Sequence, residues 1–299
     1  MMRKVAFYVA WGIRRILLGH RVPLNCTIIL TDRCNLDCRH CTVSNLGYTP
    51  LSLPEVERDL RVLYATGSRI VVITGGEPLL WQDAEGNGVE EVICLVRELG
   101  FFRTVICTNG TLPLESTADY LWVSLDGFPH EHNAMRGSIY DVVVRNIASS
   151  SHPGLYVNYT ISSNNQLTFT RSAESILALP NVRGILFHLY TPYLGGDDSL
   201  MLSDDERADT LRRLFAFKRR HPVRTFNTVA GLRALARDTW RRPTWASVTI
   251  NNGTLTDCCC RAGIYDDDVC RKCGCTPAVE TWVLQTLKPS ALIENLRYL

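Results

Sequence analysis

Nine of the twelve cysteines in this 299-residue chain fall into two clusters. Closely spaced thiols in a chain that is neither short nor core-poor point to metal binding more than to disulfides. Cys34, Cys38 and Cys41 read C-x3-C-x2-C within TDRCNLDCRHC. A zinc site uses four protein ligands, or three and a water, and favours paired C-x2-C spacing. Three thiolates in one short loop suit a [4Fe–4S] cluster with one iron left to a non-protein ligand; zinc stays the alternative on spacing alone. Cys258, Cys259, Cys260, Cys270, Cys273 and Cys275 occupy 18 residues, too dense for core packing. An iron–sulfur cluster, a structural zinc and redox-active thiols are the readings there. Cys26, Cys94 and Cys107 lie in apolar runs and read as core.

Three further polar groups punctuate the chain after apolar runs. Gly75-Gly76-Glu77-Pro78 is a sharp turn whose missing Cβ atoms also let a ligand come close. Thr108-Asn109-Gly110 and Ser124-Leu125-Asp126-Gly127 are built from ordinary turn formers. Each follows a predicted strand, so together with the cysteine loop they put polar groups on one rim.

The elements that must carry that rim alternate. Strands are predicted at 24–31, 69–74, 103–108, 120–125, 155–161 and 183–190. Amphipathic helices are predicted at 53–66, 88–99, 138–150 and 169–179, with a shorter segment near 113–118. Another helix, 203–220, opens on Ser203 as N-cap with acids in its first turn. Six strand–helix units give an α/β fold with a parallel sheet, either open or an incomplete (β/α)6 barrel. After about residue 221 the rhythm stops, and 247–258 reads as a hairpin turning at Asn252-Gly253.

These motifs, in order from residue 24 to about 190, resemble the radical S-adenosylmethionine superfamily. The resemblance implies an incomplete (β/α)6 TIM-type barrel at 24–221. It also implies a catalytic [4Fe–4S] cluster on Cys34, Cys38 and Cys41, with S-adenosylmethionine chelating the open iron. In that family the reduced cluster cleaves the sulfonium to methionine and a 5′-deoxyadenosyl radical. By the same resemblance Gly75, Gly76, Glu77 and Pro78 hold the methionyl ammonium, with Glu77 adding charge. Asn109 stands on the same rim, and Ser124 and Asp126 approach the ribose. HEHNAMRG (130–137) resembles the H-x-x-x-R-G of such enzymes, making Arg136 the partner of the methionyl carboxylate. Asn158 and the stretch His188–Tyr193 complete the nucleotide pocket.

The last 78 residues, 222–299, are similar to the SPASM/twitch-like modules that carry an auxiliary cluster in related enzymes. That similarity assigns a second [4Fe–4S] cluster to Cys258, Cys270, Cys273 and Cys275. Adjacent Cys259 and Cys260 compete, and Cys273-Gly274-Cys275 is tighter than the usual spacing. A reductase such as flavodoxin or ferredoxin is the implied electron donor.

Residues 1–23 form a separate amphipathic segment. Residues 3–21 read as a helix on a membrane surface, at a greasy substrate entrance, or across the barrel bottom. Arg14 and Arg15 interrupt its apolar run and no A-x-A site follows, which argues against a signal peptide and for the cytoplasm, peripheral membrane contact being the variant. This helix, FNTVAGLRAL (226–235) and the closing CxxCGCTPAV look distantly like adenosylhopane synthase, which leans toward an isoprenoid or lipid-like small-molecule substrate. Radical modification of a ribosomal peptide is the alternative; a non-catalytic iron–sulfur scaffold or electron carrier is the alternative from another class. A net charge of +2 leaves no overall field for nucleic acid. The arginines of 203–220 read as a solvated face.

Overall fold

The computed structural model describes residues 2–192, 196–242, 244–256 and 267–286, together with 291 and 294. Seven strands run parallel: β1 (Asn25–Thr31), β2 (Ile70–Gly75), β3 (Arg103–Thr108), β4 (Tyr120–Ser124), β5 (Leu155–Ile161), β6 (Ile185–Leu189) and β7 (Ser247–Asn251). The eighth, β8 (Thr254–Thr256), returns antiparallel to β7. The sheet order is β6-β5-β4-β3-β2-β1-β7-β8. From β1 to β6 spatial order follows chain order without reversal. Right-handed crossovers then stack on one face, which is barrel winding and not a doubly wound sheet. The fold is an α/β partial barrel, one of the two arrangements the alternation leaves open and the one the resemblance implies.

The helices are α1 (Met2–Leu18), α2 (Leu53–Ala65), α3 (Val89–Glu98), α4 (Pro129–Arg136), α5 (Tyr140–Ser149), α6 (Phe169–Leu177), α7 (Asp204–Arg220), α8 (Val229–Ala236), α9 (Asp267–Arg271) and α10 (Thr276–Gln285). One face of each strand is sealed by this layer: Ile28, Ile73, Ile106, Val123, Val157 and Phe187 are fully buried. On β3, β4 and β5 the alternate residues, among them Cys107, Trp122, Ser124 and Asn158, are only partly buried and form the other, inner face. The period of two is what aims side chains at the lumen.

Three findings concern positioning: two depart from the sequence reading, and the third selects the barrel-bottom placement among those it gave for residues 3–21. Residues 113–118 are not helical: Pro113 opens the segment, and Ser116 and Thr117 donate to the Glu90 carboxylate at 2.6 Å each, tying it to α3. The hairpin turns at Asn252-Gly253, both at positive φ as that turn requires, but its first strand pairs along β1 and so extends the barrel sheet. Third, α1 lies across the amino end of the strands. Phe7 and Tyr8 meet Phe102 edge-on just before β3, the Arg69 guanidinium lies over Phe7 just before β2, and Trp11 Nε1 donates to Val22 O at 2.9 Å. A greasy substrate entrance at this helix is thereby excluded from the carboxyl rim.

Candidate active site

The cysteine loop leaves β1 at its carboxyl end, where barrels carry their chemistry. Its shape is set by backbone ties. Asp32 O accepts from Asn45 N at 2.7 Å, and the Asn45 side chain accepts from Cys34 N at 2.8 Å. Cys41 N donates to Cys38 O at 2.9 Å, and Arg39 N donates to Met135 O of α4 at 3.0 Å. The Arg39 guanidinium reaches across to Asp197 at 2.6 Å and Ser199 at 2.9 Å, beyond β6. Cys38 is buried, which pushes its thiol up to about 11 while the Arg136 charge pulls it down. Burial also raises Cys34, with the Glu77 and Cys41 charges adding to it.

The Gly75-Gly76 turn sits directly under this loop. Gly76 N donates to Thr31 O at 2.7 Å and Glu77 N to Arg33 O at 2.9 Å. A Cβ on Gly75 would collide with Thr31 O, and one on Gly76 with the carbonyls of Asp32 and Arg33. The close approach these glycines permit is thus to the root of the cysteine loop. Pro78 is buried at the start of a short 3-10 turn. Glu77 departs from expectation. Its carboxylate has no exposure and accepts from Thr108 Oγ1 (2.8 Å), Asn109 N (2.7 Å) and Leu79 N (3.1 Å). It points inward and ties the end of β2 to the end of β3; burial raises its pKa despite those bonds.

Asp126 is corrected in the same sense. It is 1% exposed; one oxygen accepts from Arg136 Nε at 2.5 Å, the other from Thr160 N at 2.7 Å. Burial alone raises its pKa, but the Arg136 charge, with the Thr160 amide, holds it below the usual value. Asp126 and Arg136, read separately as ribose and carboxylate contacts, are one buried ion pair beside Cys38. Sequence reasoning missed His132. Its Nδ1 accepts from Asp126 N at 3.1 Å, and burial lowers its pKa to about 4, so it is neutral. The spacing H-x-x-x-R starts at His132 and not at the exposed His130, and that was the available signal.

The remaining residues form a row across the inner face. Asn109 donates to Asn35 Oδ1 at 2.9 Å and stands 3.8 Å from Cys34 Sγ, an unforeseen link from β3 to the loop. Ser124 is in register with Asn158, whose Oδ1 lies 3.2 Å from His188 Nε2. Tyr193 lies outside the described residues.

Among the C-terminal cysteines, Cys258, Cys259 and Cys260 lie outside the described residues. The Cys273-Gly274-Cys275 turn docks on the end of β6. Leu189 N donates to Gly274 O at 3.1 Å, Gly274 N to Thr191 Oγ1 at 2.9 Å, and Thr276 Oγ1 to Phe187 O at 2.7 Å. A Cβ on Gly274 would collide with Leu189. Cys270 joins the turn through Cys273 N to Cys270 O at 3.2 Å. The 226–235 segment is structural: the Asn227 amide pairs with both N and O of Phe187 at 2.9 Å.

Among the described residues no three His, Cys, Asp or Glu side chains gather closely enough for a single metal ion. A four-iron cluster is larger and spreads its thiolates farther apart. Three thiols in one tied loop, beside the Arg136 cation and with no fourth protein ligand among the described residues, fit that group better than zinc.

Residues 28–164 match the description of the Radical SAM superfamily. Fe-coproporphyrin III synthase of Methanosarcina barkeri is 31% identical over 52% of this chain and 39% of its own length. A probable GTP 3′,8-cyclase of Methanopyrus kandleri is 26% identical over 88% of this chain and 85% of its own. The chain spans less than half the length of the curated relatives it first matches. Among solved structures, native anSMEcpe with bound AdoMet and a Kp18Cys peptide superposes with a TM-score of 0.62 at 18% identity, over 79% of this chain and 74% of that one; this likeness concerns the fold.

Proposed function

Because the chain belongs to the radical S-adenosylmethionine superfamily, we propose that it is an enzyme that reductively cleaves S-adenosylmethionine at a [4Fe–4S] cluster and applies the resulting radical to an organic substrate. The observation that carries this is the three-cysteine loop held at the carboxyl end of β1 against the Gly75-Gly76 turn. Cys34, Cys38 and Cys41 would hold the cluster, which supplies the electron that breaks the sulfonium bond. The chain's own work is binding and orientation. Arg136, its Nε committed to Asp126, would offer its terminal amino groups to the methionyl carboxylate. The Gly75-Gly76 turn would receive the ammonium, and Ser124, Asn158 and His188 would contact the ribose. Glu77 and Asp126 become positioning residues. The first braces the turn and the second holds Arg136.

The 222–299 segment is read as an auxiliary module whose Cys270, Cys273 and Cys275, with Cys258, hold a second [4Fe–4S] cluster. The docking of Gly274 on β6 supports a site at the barrel mouth. A flavodoxin or ferredoxin would deliver the electron. For the substrate, α1 at the far end of the barrel removes one support from a lipid-like molecule entering beside it. A small organic molecule is the first reading. A peptide is the second, favoured by the likeness in fold to a neighbour solved with AdoMet and a peptide.

The test is anaerobic reconstitution with dithionite and S-adenosylmethionine. Wild type should form 5′-deoxyadenosine, and Cys34→Ala should form none; undiminished formation by that variant overturns the proposal. Cys273→Ala should halve the iron and leave the first cluster's spectrum.

A further inference from the structure

We propose that the exposed face of α1 docks the amino end of the barrel on an anionic lipid bilayer. The first 31 residues hold Arg3, Lys4, Arg14, Arg15 and Arg21 and not one acid; the rest of the chain holds 27 basic residues against 30 acidic. The positive charge is therefore gathered in one terminal segment while the remainder is slightly negative.

The structure shows which face of the helix is committed. Phe7, Tyr8 and Trp11 pack on the barrel through Phe102, Arg69 and Val22. Ala6, Val9, Ala10 and Ile13, spaced i, i+3, i+4, i+7, form an exposed apolar stripe on another side. Val9 is 56% and Ile13 50% exposed, and Leu18 at the helix end is 62% exposed. Exposed Arg14, His20 and Arg21 border that end.

An apolar stripe edged by cations, with no carboxylate in the segment, complements the headgroup boundary of an anionic membrane. Among the described residues no helix is long and apolar enough to cross a membrane, so the contact is lateral. The charge decides against a second copy as occupant: two such faces would oppose their cations.

The experiment is sedimentation of the full chain with vesicles of phosphatidylcholine, with and without phosphatidylglycerol. Wild type should pellet with the anionic vesicles only. Val9→Asp/Ile13→Asp should reduce that partition about tenfold or more, with an unchanged unfolding midpoint because both side chains face solvent. Arg212→Glu/Arg220→Glu, on exposed α7, should leave it unchanged. Three outcomes overturn the proposal: no binding to anionic vesicles, equal loss in the α7 variant, or binding indifferent to Val9 and Ile13. Self-association without lipid that the α1 variant abolishes, with no vesicle binding, would assign the face to a second copy instead.

Discussion

The two cysteine-bearing segments reach the same rim by different physics. The loop of Cys34, Cys38 and Cys41 rests on charges taken out of water: the Asp126–Arg136 pair beside Cys38, and Glu77 locked under the glycine turn. The turn of Cys273 and Cys275 rests on neutral partners, a backbone pair with Leu189 and the hydroxyls of Thr191 and Thr276. The carboxylate of Glu280, on the helix that follows this turn, serves elsewhere by holding the N-cap Thr228 of α8. Buried charge is costly when a partner is lost, whereas a neutral hydrogen bond contributes little net energy. The first segment is therefore all-or-none, and the second yields in small steps.

The largest effect should follow from stranding Asp126. Arg136→Met leaves its carboxylate buried without a counter-charge and should lower unfolding stability by about 3–5 kcal/mol at neutral pH. The depressed Asp126 pKa gives the sign. Its contribution is present above the unfolded-state value and is lost as pH falls through the lower folded-state value. The gap between Arg136→Met and wild type, read by denaturant melts, should therefore close on acidification. A gap that stays constant with pH would mean the pair does not anchor α4 electrostatically.

Glu280 should behave in the opposite way. Burial pushes its carboxyl up to about 7, against the pull of the Thr228 bonds and of Lys218. A raised carboxyl pKa contributes stability below the unfolded value, and that stability is lost as pH rises through the folded one. Wild type should lose roughly 2–3 kcal/mol on this account between about pH 5 and 8, and Glu280→Gln should remove that slope. Glu77 titrates in the same sense as Glu280, so the contrast is read from the variants and not from the wild-type profile.

What was legible in the sequence divides along the same line. The six strands and the Asn252-Gly253 turn follow from period and local backbone preference, and they stand within a residue or two of their predicted bounds. The rim was legible too, because each polar motif closes a strand. The direction of its carboxylates was not. Glu77 turns to Thr108 and Asn109, some thirty residues away, and Asp126 to Arg136 across a turn and a helix that the alternation did not announce. The glycine pair was read as room for a ligand because its neighbour, the carbonyl row of Thr31–Arg33, is set by sheet register. Register also puts β7 beside β1, a pairing across more than two hundred residues that no local pattern encodes.

The smallest effect tests the neutral anchor. Thr191→Val removes the hydroxyl that accepts from Gly274 N while keeping the side-chain volume, and should cost about 1 kcal/mol of stability. The loss is small because Leu189 and Thr276 still hold the turn on β6. Its distinguishing readout is local: amide exchange at Gly274 and Cys275 should quicken while the Cys34–Cys41 loop keeps its protection. The two segments are tied to different strands by different bonds. If both quickened together, the rim would be one cooperative unit, and the contrast between a charged root and a neutral one would fail.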